Sequence, residues 1–319
     1  MSFIWPQIPT GVSRRGASSP PACPVTLLDG GMGQELIRRA AEPPTPLWAT
    51  RVMLDHPGMV RQVHADYFAA GATVATANTY AIHRDRFRAF GLEHRFAEFH
   101  DLALREAEAA RAAHGSGRIA GSLGPLVASY RPEVLPPHDT AAALYAEVAA
   151  ILAPRCDLLI GETVASLAHA RALIEGVRRA APEATLWLSV TVEDRDGTRL
   201  RSGEPVADLA QFAPQVQAIL ANCSAPEAMD QAVPVLASLG RPCGAYANGF
   251  QRITEDFLKD GATVDALSAR PEMTPERYAD FALGWVAMGA TIVGGCCETG
   301  PGHIATLARR LAEAGHRIV

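Results

Sequence analysis

Short apolar, β-rich runs alternate with longer amphipathic stretches along most of the chain. Eight runs qualify as strands, at residues 25–29, 73–78, 118–122, 157–162, 185–192, 217–223, 242–248 and 290–296. Most are nearly continuous in apolar residues rather than alternating, which is the pattern of parallel strands buried on both faces. Helical character fills 57–70, 87–113, 139–153, 165–180, 226–239, 275–288 and 302–314, the second of these broken near Gly91. Asp139 stands where an N-cap is wanted. Pro234 is expected to kink or shorten the helix at 226–239. This eightfold alternation predicts a single-domain α/β fold, a (β/α)8 TIM barrel. The rival, a doubly wound open sheet, lacks its dinucleotide fingerprint, because Gly30-Gly31-Met32-Gly33 has the wrong spacing. Two polar loops, 193–205 and 249–272, are candidates for a lid or for ordinary solvated connections.

Composition narrows the function classes. The 319 residues suit one elaborated barrel, and 48% hydrophobic content supports a large core. A net charge of −5 gives no basic footprint for nucleic acid. No apolar run is long enough to cross a bilayer. Neither nucleic acid nor a membrane is therefore an expected partner. Residues 1–24 are rich in Pro, Ser and Gly and lack a continuous apolar segment, so they predict an irregular arm ahead of the barrel at 25–319, not an export signal. Six cysteines in a chain this long do not make a disulfide framework and point to a reducing, cytoplasmic setting.

The cysteines sort by strand end. Cys223 closes the sixth predicted strand, and Cys296-Cys297 close the eighth. Cys23, Cys156 and Cys243 lie before or at the start of the first, fourth and seventh. Barrel active sites gather at the C-terminal strand ends. Cys243 and Asn248, five residues apart on one strand, are separated by roughly 16 Å, so Cys243 belongs to the opposite rim. Three thiolates suit Zn²⁺, and three protein ligands leave a fourth position open, as in catalytic sites. His303, six residues beyond Cys297, is the nearest candidate to close the site. Buried free cysteines are commonly inert, but a Cys-Cys pair beside Gly294-Gly295 with a third Cys at another strand top is a more specific signal.

Several short motifs accompany the cysteines: Leu28-Asp29-Gly30-Gly31-Met32-Gly33, Pro46-Leu47-Trp48, Ala77-Asn78-Thr79-Tyr80, Gly121-Ser122-Leu123-Gly124-Pro125, Gly161-Glu162-Thr163, Asn222-Cys223-Ser224, Tyr246-Ala247-Asn248 and Gly294-Gly295-Cys296-Cys297. Together they resemble the zinc-dependent homocysteine S-methyltransferases over roughly residues 25–315. The resemblance implies Zn²⁺ on Cys223, Cys296 and Cys297, and substrate-ammonium binding by Asp29 and Glu162. A free amino acid does present a cation for such carboxylates. Helix N-capping is the alternative role for both. Asn78, Ser122 and Asn248 are the remaining candidates for substrate contact.

The expected reaction is methyl transfer to homocysteine's thiol, giving methionine. A sulfonium or quaternary ammonium donor needs an aromatic face, for which Trp48, Tyr80 and Tyr246 are candidates. Loop packing is the alternative for Trp48. The stretch Pro46-Leu47-Trp48-Ala49 is closer to the S-methylmethionine-using branch than to the betaine branch. Three positions depart from the family pattern: Ala221 replaces Gly, Ala247 replaces Pro and Glu298 replaces Gly. They bear on substrate and donor identity. Competing readings are a corrinoid-linked enzyme, a selenohomocysteine or other thiol methyltransferase on the same zinc site, and a non-catalytic zinc or thiol-binding barrel.

Overall fold

The computed structural model describes residues 24–41, 49–250, 253–254, 258–259 and 267–319. The residues ahead of 24, with Cys23, lie outside them, as do Pro46, Leu47, Trp48 and much of the loop after residue 250. The strands are β1 (Pro24–Leu27), β2 (Val74–Thr76), β3 (Arg118–Leu123), β4 (Leu158–Val164), β5 (Leu186–Val190), β6 (Ala218–Asn222), β7 (Cys243–Tyr246), β8 (Ile292–Val293) and β9 (Arg317–Ile318). β2 to β8 pair in parallel in chain order, and β8 pairs with β1. A parallel bridge between Leu28 and Val74 joins β1 to β2, closing the barrel.

The apolar runs explain the layering. Within each strand, alternate residues point inward and outward. Leu158, Ile160, Trp187, Ala218 and Leu220 fill the lower interior with Leu28, Val74, Ala120 and Ile292. Their outward neighbours, Leu159, Leu186, Leu188 and Ile219 among them, pack against the helices. Continuing the inward series upward changes its character: Thr76, Ser122, Glu162, Ser189, Asn222 and Tyr246 follow. The barrel interior is thus apolar through its middle layers and polar at its upper end, where a cavity opens.

The helices are α1 (Met32–Ala40), α2 (Ala49–Asp55), α3 (Met59–Ala69), α4 (Arg84–Arg88), α5 (Phe96–His114), α6 (His138–Leu152), α7 (Leu167–Ala180), α8 (Pro226–Ala237), α9 (Pro275–Ala287) and α10 (Pro301–Glu313). Ser166 caps α7 by accepting from His169 N, and Thr274 caps α9 by accepting from Arg277 N, with Pro275 opening the first turn. The break near Gly91 is real: α4 ends at Arg88, and Gly91 has a φ of +67°, a left-handed conformation that glycine adopts at no steric cost.

Several expectations need correction. The N-cap of α6 is Pro137, and Asp139 sits in the first turn, where its charge still favours the helix dipole. α8 contains Pro234 and ends at Ala237, two residues before 239, in keeping with the shortening expected of that proline. Two helices, α1 and α2, occupy a stretch left unassigned by periodicity. A 3-10 run, Val206–Gln215, fills the stretch between the 193–205 loop and β6 that periodicity also left unassigned. β9 is an added strand: it pairs with β1 at the bottom, and Val319 N donates to Val25 O at 3.0 Å. β8 is only two residues long, so Cys296 and Cys297 lie in the loop beyond it. No helix among the described residues is long and apolar enough to cross a membrane.

Candidate active site

One cavity of about 120 Å³ lies at the C-terminal strand ends. Asp29, Asn78, Tyr80, Ser122, Glu162, Tyr246, Cys223, Cys296 and Cys297 all line it. Asn248 does not. It is buried, and its Oδ1 accepts from Phe250 N at 3.1 Å, which shapes the loop after β7. Trp48 lies outside the described residues. Thr50, Thr76, Tyr130, Thr163 and Asn222 also face the cavity, with no role assigned from sequence.

The three sulfur atoms lie within 4.8 Å of one another. Cys223 follows β6 directly and has a φ of +52°, an uncommon conformation for a non-glycine residue. Its neighbours hold it there. Cys223 N donates to Tyr246 O, and Asn248 N donates to Ser224 O. Ser224 Oγ accepts from Val192 N at 2.9 Å, tying the tops of β5 and β6 together. Cys296 and Cys297 sit on a turn pinned from several sides. Cys296 N donates to Ala247 O, Gly249 N donates to Cys297 O, and Thr299 Oγ1 donates to Cys296 O. A Cβ on Gly294 would lie 2.5 Å from Leu28 Cβ, so only glycine lets this turn close against β1.

Cys223 and Cys296 are joined sulfur to sulfur, with Cα atoms 5.8 Å apart. Cys297 Sγ lies 3.9 Å from Cys223 Sγ. Two zinc-bound sulfurs at about 2.3 Å each would stand about 3.8 Å apart in a tetrahedron, so the Cys223–Cys297 edge already has the right length. Reduction of the Cys223–Cys296 bond frees the other two edges. His303 does not complete the set: its Nε2 lies 3.1 Å from Met273 O and its ring packs edge-on against Tyr278. The donor chemistry therefore fits a soft cation held by three thiolates with one position open. Tyr130, Ile253, Leu258 and Leu267 pack around the sulfurs as an apolar roof. Burial, with the adjacent Glu298 carboxylate adding to it, pushes the Cys297 thiol up to about 12. A bound divalent cation reverses that balance.

Both carboxylates are oriented by donors from neighbouring strands. Asp29 accepts from Thr76 N at 2.7 Å and from Thr76 Oγ1 at 2.9 Å. Glu162 accepts from Ser122 Oγ at 2.5 Å and from Tyr246 OH at 2.9 Å. Each oxygen carries a second lone pair, so both groups keep acceptor capacity toward the cavity. Burial pushes Asp29 up to about 8 and also raises Glu162, where the two hydroxyls oppose the shift. Neither serves as a helix cap: α1 has Gly31 at its N-cap without a side-chain bond, and Glu162 lies inside β4, two residues before its end. Glu298 has a φ of +64°, which explains why glycine would suit that position.

Aromatic surface near the sulfurs comes from Tyr130, which also carries the Arg201 guanidinium 5.5 Å from its ring centre. Tyr80 is tied to Ser129 Oγ at 2.8 Å. Tyr246 contributes its hydroxyl to Glu162 rather than a free ring face. Sequence reasoning missed Tyr130 because nothing local marks it; only the fold of the β3–α6 connection brings it to the cysteines.

Comparison with known proteins agrees with this geometry. The profile of a family described as homocysteine S-methyltransferase matches residues 26–311. The homocysteine S-methyltransferase of Escherichia coli (strain K12) is 34% identical over 314 residues, covering 90% of this chain and 95% of that protein. The homocysteine S-methyltransferase YbgG of Bacillus subtilis (strain 168) is 29% identical over 308 residues, covering 89% and 94%. The solved structure of the Escherichia coli homocysteine methyltransferase MmuM in its metallated form superposes with a TM-score of 0.76 at 30% identity, covering 90% of this chain and 96% of that one. Its oxidized form gives a TM-score of 0.75 at the same identity and coverage.

Proposed function

Because this chain belongs to the homocysteine S-methyltransferase family, we propose that it transfers a methyl group from a small sulfonium donor, S-methylmethionine favoured, to homocysteine, with Zn²⁺ on Cys223, Cys296 and Cys297. The observation that carries this reading is the meeting of three cysteine sulfurs and two buried carboxylates with spare lone pairs in one cavity. A thiol-bearing amino acid fits that pair of demands, one at each end. Zn²⁺, when bound, would stabilise the substrate sulfur as its thiolate at neutral pH.

The chain's own residues do the rest. Asp29 and Glu162 take the ammonium, each held on its outer lone pairs by Thr76 or by Ser122 and Tyr246. The apolar roof over the cysteines excludes water from the reacting sulfur. Tyr130 and Tyr80 are the rings for the cationic donor, each presenting the face away from its guanidinium neighbour, Arg201 or Arg86. The acceptor sulfur attacks the methyl carbon in line. A new carbon–sulfur bond forms, the donor's bond breaks, and its electron pair leaves on the donor sulfur, which becomes neutral. Positioning supplies most of the acceleration. The free thiols this chemistry needs suit a reducing, cytoplasmic setting, and the partners are small molecules.

The test is a methyl-transfer assay with reduced, zinc-loaded protein, homocysteine and a panel of donors. Methionine formation from S-methylmethionine is expected. Full turnover in protein verified to be metal-free would overturn the zinc assignment. Turnover with a methylcorrinoid alone would move the donor to the corrinoid-linked alternative.

A further inference from the structure

Glu162 and Thr163 are consecutive, yet both line the cavity. A regular strand cannot do this, because successive side chains point to opposite faces. The register of β4 against β5 shifts between Gly161 and Val164, and Thr163 has a φ of +56°. Beyond it, Val164 packs outward into the helix-side core, whereas an unbroken pleat would turn it inward with Leu158, Ile160 and Glu162. Such irregularities re-aim a side chain. For a β-branched residue, the left-handed conformation persists only where the surroundings hold it.

The hold comes from Asn222, the last residue of β6. Its Oδ1 accepts from Thr163 N at 2.9 Å, and its Nδ2 donates to Thr163 Oγ1 at 3.0 Å. Ser189 Oγ donates to the same Oδ1 at 2.9 Å, which fixes the amide's orientation. Asn222 is buried, 1% exposed, so its amide is held by these protein partners. The amide thus grips Thr163 by backbone and side chain at once, immediately beyond Glu162.

We infer that Asn222 is a positioning residue for recognition of the amino-acid acceptor: it locks Thr163 in its left-handed conformation and so keeps the Glu162 carboxylate aimed at the substrate's ammonium. The inference rests on the proposed reading of Glu162 as an ammonium-holding group. Release of Thr163 lets β4 return to a regular pleat, and the carboxylate loses its alignment with Ser122 and Tyr246. Asn222 adjoins Cys223, so one residue would connect the carboxylate side of the cavity with the sulfur side.

The test compares homocysteine with 4-mercaptobutyrate, which keeps the thiol and carboxylate but lacks the ammonium, in zinc-loaded enzyme normalised to bound metal. Asn222→Ala is expected to raise KM for homocysteine about tenfold or more, with kcat per bound metal little changed and 4-mercaptobutyrate unaffected. Thr163→Val and Ser189→Ala each delete a single bond of the grip and are expected to lower the preference for homocysteine about threefold, with melting temperatures near wild type. They carry the test if Asn222→Ala does not fold. A purely structural role lowers turnover of both thiols equally. Wild-type preference for homocysteine retained in every folded variant overturns the inference. No preference in the wild type would instead refute the ammonium reading of Glu162.

Discussion

The ammonium reading of Asp29 predicts a pH dependence that can be worked out beforehand. Burial pushes this carboxyl up to about 8, so much of it is neutral at pH 7 when the cavity is empty. An ammonium ligand needs the carboxylate, and its apparent affinity falls with the ionised fraction. With a pKa of about 8, roughly 3% is ionised at pH 6.5 and roughly 75% at pH 8.5, so affinity should rise about 25-fold across that window. Methionine is the right probe. It carries the ammonium but no thiol, so the chemistry at the cysteines does not titrate with it. Calorimetry at half-unit pH steps gives the curve directly. Asp29→Asn should bind methionine weakly and lose most of the slope, leaving only what Glu162 contributes. The sign for stability is opposite. A carboxyl raised from 3.8 to about 8 in the folded state stabilises the fold fully below pH 3.8, and that contribution is lost as pH rises through about 8. The empty enzyme should therefore soften toward pH 8.5 and recover with methionine. A dissociation constant flat from pH 6.5 to 8.5, or an unchanged slope in Asp29→Asn, would refute the argument.

Chelation under reducing conditions should abolish turnover, and zinc should restore it; X-ray absorption should count three sulfur ligands, rising to four with homocysteine. Without reductant, titration of the unfolded chain should find two fewer free thiols than after reduction, because Cys223 and Cys296 are bonded. Tyr130→Leu should raise KM for a sulfonium donor about fivefold to thirtyfold, in line with a desolvated cation–π contact, and leave KM for homocysteine unchanged; the reverse split would place the donor elsewhere. Burial pushes His64 down to about 4, and among the described residues neither ring nitrogen has a hydrogen-bond partner. The unfolded chain therefore takes up that proton first as pH falls. About 3 kcal/mol of stability is lost between pH 6.5 and 4 from this residue. His100 and His169, both also pushed down to about 4, act in the same direction. Acid unfolding should thus fall in this window, and His64→Leu should move its midpoint to lower pH in a circular-dichroism titration; an unmoved midpoint would refute the assignment.

What was legible in the sequence was set by the length scale of each signal. Parallel strands buried on both faces read as apolar runs, so all eight barrel strands could be placed. β9 escaped because two residues carry no periodicity. α1 and α2 escaped because the glycines and prolines around them mask a short amphipathic pattern. The cysteines could be sorted by strand end because the barrel puts every strand's C-terminus on one rim. The pairing of Cys223 with Cys296 could not be read, since it depends on how far the loop beyond β8 folds back. The partners of the carboxylates form an intermediate case. Inward parity along each strand selects Thr76, Ser122, Glu162, Ser189, Asn222 and Tyr246, which are the polar upper members of otherwise apolar series. Parity alone fails at β4, where the shift at Thr163 turns two successive residues to one side. That failure falls beside a carboxylate whose direction the proposed function requires. The cysteine turn is also tied to the main chain of the residue that bears the other carboxylate, since Gly295 N donates to the Asp29 backbone carbonyl at 2.9 Å. The backbone beyond β8 therefore fixes the sulfurs and the residue that would receive the ammonium relative to each other. That fixed spacing is the property an enzyme needs if it is to choose homocysteine from other thiols by the distance between its charge and its sulfur.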